Sequence, residues 1–235
     1  MQPIILASSS PRRRELLALA GLPFEVSPAA AEEVSQLGET PEAFAGRMSR
    51  TKARLAAARG QARVGLESAL MIGADTIVVL DDGPGGAGEI IGKPRDAWQA
   101  VETLRRLRGR THRVLTALTL IDCSAAPEVE LNELVTARVP MREYSDEEID
   151  AYVATGNPLD KAGAYAIQYA GFQPVDLARF ADCFANVMGL PVCRLLRLLE
   201  ARGVPASLDR APGDCERFDP NACPIFHQIN MESSE

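Results

Sequence analysis

The run Ala69-Leu70-Met71-Ile72-Gly73-Ala74-Asp75-Thr76-Ile77-Val78-Val79-Leu80 constrains this chain more than any other stretch. It is apolar at odd and even positions alike, so both faces must be covered, and it predicts a strand near the centre of a sheet. Asp75-Thr76 interrupts it. An ionised carboxylate inside such a strand is costly unless it is paired, coordinates a metal or opens onto a cleft. A structural Asp bonded to neighbouring backbone is the plain alternative. Beyond the strand, the glycine-rich turn from Asp81 to Gly88 leads into Glu89-Ile90-Ile91-Gly92-Lys93, which predicts the second arm of a hairpin. That turn is no Walker-type phosphate cradle, because it lacks the GxxxxGK pattern and no Ser or Thr follows Lys93.

The second informative stretch is the N-terminus. Ile4-Ile5-Leu6-Ala7 predicts a short buried strand, and Glu15 to Gly21 a helix stopped by its glycine. Between them lies Ser8-Ser9-Ser10-Pro11-Arg12-Arg13-Arg14. Ser10 suits the N-cap and Pro11 the first helical position, where its missing N–H costs nothing. Three arginines then fall in the first turn, at the positive end of the helix dipole, a choice that costs ~0.3–1 kcal/mol per charge. Solvated arginines behind an ordinary cap would satisfy the pattern. So would a polyanion, phosphate above all, held by free backbone N–H groups, serine hydroxyls and guanidinium groups.

The remaining elements alternate. Phe24 to Pro28 predicts a second short strand, and the acidic Glu32-Glu33 falls in a polar loop. Thr40-Pro41-Glu42 opens a helix with Phe44, Met48, Thr51 and Leu55 on its inner stripe and Gly60 at its end. By that spacing Lys52 lies at the border of the stripe, as a solvated lysine. Pro94-Arg95-Asp96 starts a helix whose core stripe is Trp98, Val101, Leu104 and Leu107. Arg113 to Asp122 and Glu128 to Val139 predict two more strands, and Ser145-Asp146-Glu147-Glu148 a capping box. Pro191 opens a last leucine-rich helix. The expected fold is α/β, with a mixed, elongated central sheet flanked by helices.

Composition narrows the function. In 235 residues the net charge is −7, which argues against a nucleic-acid polymer or a membrane surface as partner, so the basic patch is sized for a small ligand. No apolar run reaches the ~18 residues of a membrane span, and the start lacks a signal-peptide pattern, which predicts a cytoplasmic protein. Five cysteines without a C-x-x-C pair predict reduced thiols. Cys215, Cys223 and His227 could clip a metal, but their spacing fits no standard zinc pattern. From Ser207 to Glu235 the chain turns polar and predicts a loosely packed tail, leaving residues 1–206 as the folded domain.

With these pieces in order, the chain resembles the Maf family, first described as septum-formation inhibitors and now understood as nucleoside triphosphate pyrophosphatases. The matching segments are Leu6-Ala7-Ser8-Ser9-Ser10-Pro11-Arg12-Arg13, Lys52-Ala53-Arg54, Gly73-Ala74-Asp75-Thr76, Gly92-Lys93-Pro94-Arg95-Asp96 and Asp160-Lys161-Ala162-Gly163-Ala164-Tyr165-Ala166-Ile167-Gln168. The resemblance implies a Maf/ITPase-like fold and cleavage of a nucleoside triphosphate between the α and β phosphates. It implies Asp75 as the water-activating base, sharing a divalent cation (Mg or Mn) with Glu33. Ser8, Arg12, Arg13, Lys52 and Lys93 would bind the triphosphate, Lys52 and Lys93 also assisting catalysis. The Asp160–Gln168 segment is similar to the subgroup acting on dTTP and UTP, in which residues matching Arg12, Thr76 and Gln168 influence base choice. A homodimer stays open as its assembly. The competing expectation is a nucleotide-binding regulator of cell division without turnover.

Overall fold

Strand β3 (Leu70–Leu80) is the spine of the molecule, buried at every position except the half-buried Thr76. The computed structural model describes residues 2–61, 68–81 and 88–205, together with Cys223. Along one edge β3 pairs antiparallel with β5 (Thr111–Asp122), from Leu70 opposite Asp122 to Val79 opposite Arg113. Its other edge is shared. Strand β1 (Ile4–Leu6) pairs parallel with Leu70–Ile72, and β4 (Glu89–Ile91) pairs antiparallel with Val78–Leu80. The last rung on the β1 side is the Ala7 N–H donating to the Ile72 carbonyl at 2.8 Å. Between Gly73 and Ile77, no described strand pairs with this edge. Asp75 and Thr76 lie in the middle of that gap.

The six-stranded sheet runs β2-β1-β3-β5-β6, with β2 (Glu25–Val26) parallel to β1, β6 (Val129–Pro140) antiparallel to β5, and β4 beside β3. It is mixed and flanked by helices on both faces, as the sequence predicts. Helix α2 (Pro41–Gln61) covers one face, where Met71, Ile77 and Val79 pack with Ala53, Ala56, Phe44 and Met48. The larger core lies on the other face, under α1 (Pro11–Ala18), α3 (Ala97–Leu107), α4 (Asp146–Ala154), α5 (Phe184–Met188) and α6 (Val192–Glu200). The caps are local and sequence-coded. Ser10 Oγ accepts the Arg13 N–H, Asp96 accepts the Gln99 N–H, and both halves of the Ser145–Glu148 capping box form.

Two expectations are corrected. Lys52 is not at a solvated border but on the buried stripe of α2, 7% exposed. That stripe runs Phe44, Ala45, Met48, Ser49, Lys52, Ala53, Ala56 and Ala57, mostly small residues that carry little hydrophobic signal. Trp98 is not core but 73% exposed, because α3 buries Ala100, Thr103, Leu104 and Leu107. Steps of three residues drift by about 60° each on a helix, which carries Trp98 round to the far side from Leu107. The glycine-rich turn (82–87), Cys215, His227 and nearly all of the polar tail lie outside the described residues. Among the described residues no helix is long and apolar enough to cross a membrane.

Gly73 sets the distance between α2 and β3. A Cβ there would run into the Ser49 carbonyl oxygen and come within 2.8 Å of the Ala53 nitrogen, both helix backbone atoms that cannot swing aside. Gly73→Ala is therefore expected to destabilise the fold by about 1–3 kcal/mol through overpacking, measured by urea unfolding against the parent.

Candidate active site

The close approach at Gly73 brings the Lys52 ammonium from α2 onto the α2-facing side of β3. There it donates to Asp75 Oδ1 at 2.5 Å, both groups being buried. The same ammonium donates to Glu33 Oε1 at 2.8 Å. Glu33 comes from the long loop between β2 and α2, and that loop is tied back to α2. Arg47 holds the Glu39 carboxylate at 2.6 and 2.7 Å and the Val34 carbonyl, next to Glu33, at 2.9 Å. The bond from Arg47 pulls the Glu39 carboxyl down to about 2. Burial pushes Glu33 up, but the hydrogen bond and charge of Lys52, with the charges of Lys93 and Arg13, outweigh it and leave its carboxyl below the ordinary range. Lys93, exposed two residues past β4, is thereby placed within electrostatic reach of Glu33.

Thr76 faces the other side of the sheet, and Arg13 meets it there. The Arg13 guanidinium donates through Nε to the Gly189 carbonyl at 2.8 Å, through Nη2 to Thr76 Oγ1 at 3.0 Å and through Nη1 to Ser8 Oγ at 3.4 Å. Burial lowers the Arg13 pKa, and the nearby Asp75 charge works against that fall. Arg13 reaches both Asp75 and Glu33 electrostatically, so the two faces of β3 meet at its unpaired edge. Ser8 is buried, its hydroxyl also accepting the Ser10 N–H at 3.2 Å.

Asp75, Lys52, Glu33, Lys93, Arg13, Thr76 and Ser8 thus form one neighbourhood. Arg12 is half-buried on the flank, within reach of Arg13, Asp160 and Tyr152. Gln168 is half-buried, and no hydrogen bond among the described residues ties its amide to the cluster. Arg13, Lys52 and Lys93 against Asp75 and Glu33 leave the cluster cationic, suited to a polyanion. No three His, Cys, Asp or Glu side chains among the described residues converge on a metal position. Glu33 and Asp75 do converge on one point, at present the Lys52 ammonium. Lys52 takes one oxygen of each carboxylate, Glu33 Oε1 and Asp75 Oδ1, and oxygens of this kind suit a hard divalent cation.

A family model described as Maf-like protein matches residues 3–202. The chain belongs to the Maf family. Several curated relatives bear the name dTTP/UTP pyrophosphatase. One from Anaeromyxobacter dehalogenans is 43% identical over 207 residues, 88% of this chain and 97% of its own length. One from Methylococcus capsulatus is 46% identical over 203 residues, covering 86% and 91%. A third, from Syntrophotalea carbinolica, is 41% identical over 219 residues and covers 93% of each. The Maf residues that sequence reasoning passed over are those that orient others: Gly189, Thr116, Asn186 and Arg47. Asn186 and Gly189 belong to Asn186-Val187-Met188-Gly189-Leu190-Pro191, a run in which nothing local points to its target, Arg13.

Two outcomes test this Maf site. Lys52→Met strands the Asp75 carboxylate in the interior and should cost about 3–5 kcal/mol in urea unfolding, with part of the loss recovered in Lys52→Met/Asp75→Asn. Glu33 is about half exposed, so Glu33→Gln should cost only about 0.2–1 kcal/mol at pH 7. Because the folded carboxyl titrates below its unfolded value of about 4.3, that contribution is complete above this pH. The gap between Glu33→Gln and the parent should close as pH falls further.

Proposed function

We propose that this chain hydrolyses dTTP and UTP between the α and β phosphates, releasing the nucleoside monophosphate and pyrophosphate. The observation that carries the reading is the gathering of Lys52 and Arg13 about Asp75 at the unpaired edge of β3, with Lys93 in electrostatic reach of the neighbouring Glu33. In this reading the triphosphate lies along that edge. Arg13 and Lys93, with Arg12 on the flank and the Ser8 loop at the end of β1, hold its oxygens. Fixed cations stabilise the negative charge that builds on the departing pyrophosphate, and they need no reorganisation as the bond breaks. Asp75 takes the proton of the attacking water as its oxygen bonds to the α phosphorus and the bridging oxygen leaves with pyrophosphate. Lys52, hydrogen-bonded to Oδ1, holds the Asp75 carboxylate in place.

Glu33 and Asp75 would hold magnesium or manganese, which when bound neutralises phosphate charge and lowers the pKa of a water. The names of the relatives support the pyrimidine nucleotides as substrates. Arg12, Thr76 and Gln168 are assigned to the base end. A Gln amide offers a donor and an acceptor to a pyrimidine edge. The reaction is assigned to the free nucleotide pool of the cytoplasm.

Asp75→Asn is the decisive variant, because the amide cannot accept the proton. Pyrophosphate release from dTTP and UTP should fall about 10²–10⁴-fold with nucleotide affinity nearly unchanged by calorimetry. Release at the parental rate would remove Asp75 as the base. Tight binding by the parent with no turnover under either metal would favour the regulator instead.

A further inference from the structure

Arg13 is aimed by atoms that come from the far end of the chain. Its Nε–H is taken by the carbonyl of Gly189, which caps α5 in the left-handed region at φ 111°. A Cβ at Gly189 would stand 3.3 Å from Thr76 Oγ1 and 3.5 Å from Arg13 Nε. Only glycine adopts that backbone readily while leaving the guanidinium room. Yet α5 is a helix of five residues, far too short to hold its own shape. Something must fix it.

Asn186 does so. It is fully buried, and its Nδ2 donates to the Val114 carbonyl of β5 at 3.1 Å. Its backbone carbonyl accepts Thr116 Oγ1 at 2.9 Å and, together with Ala185, the Gly189 N–H at 3.0 Å. With its proton given to Asn186, Thr116 Oγ1 is left to accept from Thr76 Oγ1, 2.9 Å away, and Thr76 in turn accepts from Arg13. The register that sets Thr76 opposite Thr116 closes the loop. Asn186 Oδ1 finds no partner among the described residues. An apolar side chain of the same size would avoid that orphaned oxygen, so packing alone does not account for an asparagine here.

We infer that Asn186 is a positioning residue for nucleotide binding: it pins α5 to β5 so that the Gly189 carbonyl and the Thr76–Thr116 pair present the free N–H groups of Arg13 to the substrate phosphates. The inference rests on the reading of Arg13 as a phosphate ligand. It requires that Asn186 act through Arg13 and through nothing else at the site.

A double-mutant cycle tests it, with Asn186→Ala and Arg13→Ala assayed singly and together for pyrophosphate release from dTTP, well below the melting temperature of each variant. Arg13→Ala should raise KM about 10–100-fold through loss of a charge-assisted contact. Asn186→Ala should raise KM about 10-fold with kcat within about threefold, the mark of lost ground-state binding. In the Arg13→Ala background, Asn186→Ala should raise KM no further. An equal rise in both backgrounds overturns the inference while leaving Arg13 as a ligand. So does a lowered melting temperature with KM unchanged. If Arg13→Ala itself leaves KM unchanged, the reading of the site fails, and the inference with it. Should Asn186→Ala not fold, Gly189→Ala enters the same cycle, with the same non-additive result expected and an additive one overturning the proposal.

Discussion

The contact between Lys52 and Asp75 is the constraint on which the rest of the structure depends. A carboxylate in the middle of a fully covered strand cannot stay ionised without a counter-charge, and the counter-charge must come from the helix laid over that face. Gly73 lets the helix lie close enough, and the small residues of α2 let it lie flat. Replacing such a pair with apolar residues is often neutral or stabilising in other proteins, so stability alone is weak grounds for keeping it. Here the pair stands beside the unpaired edge of β3, where a ligand could reach it.

That edge explains why the cluster forms where it does. Strand β1 leaves the sheet after Leu6 and β4 joins only at Val78, so β3 passes from a parallel neighbour to an antiparallel one across a short interval. Crevices at such changes of neighbour are where α/β sheets commonly receive ligands. The loop leaving β1 carries Ser8 and leads straight into the helix of Arg12 and Arg13, and Lys93 follows β4 by two residues. Both strands that flank the gap therefore deliver cations to it.

Much of this was legible in order along the chain. A strand apolar on both faces, a hairpin return, Ser10 before Pro11 and the Ser145 capping box are short-range patterns, and each stands where the pattern put it. The burial of Lys52 was not legible in the periodicity, because past Met48 the inward stripe of α2 is built from Ala and Ser around it and carries almost no contrast against its outer face. Trp98 misled for the opposite reason: a large apolar ring at a plausible spacing still points to solvent when the helix starts one residue before it. The link from Gly189 to Arg13 spans 176 positions, and no periodicity encodes a contact of that range.

Asp75 and Thr76 are consecutive, so their side chains leave the strand in opposite directions. The Asp75 carboxylate looks toward α2, and the Thr76 hydroxyl that anchors Arg13 looks toward α1 and α5. A slip of one position in the pairing of β3 with β5 would exchange the two, turning the acid into the apolar core and the hydroxyl onto the ammonium. The accuracy of the chemistry is thus inherited from the long antiparallel ladder that fixes which residue of β3 stands opposite which residue of its neighbour.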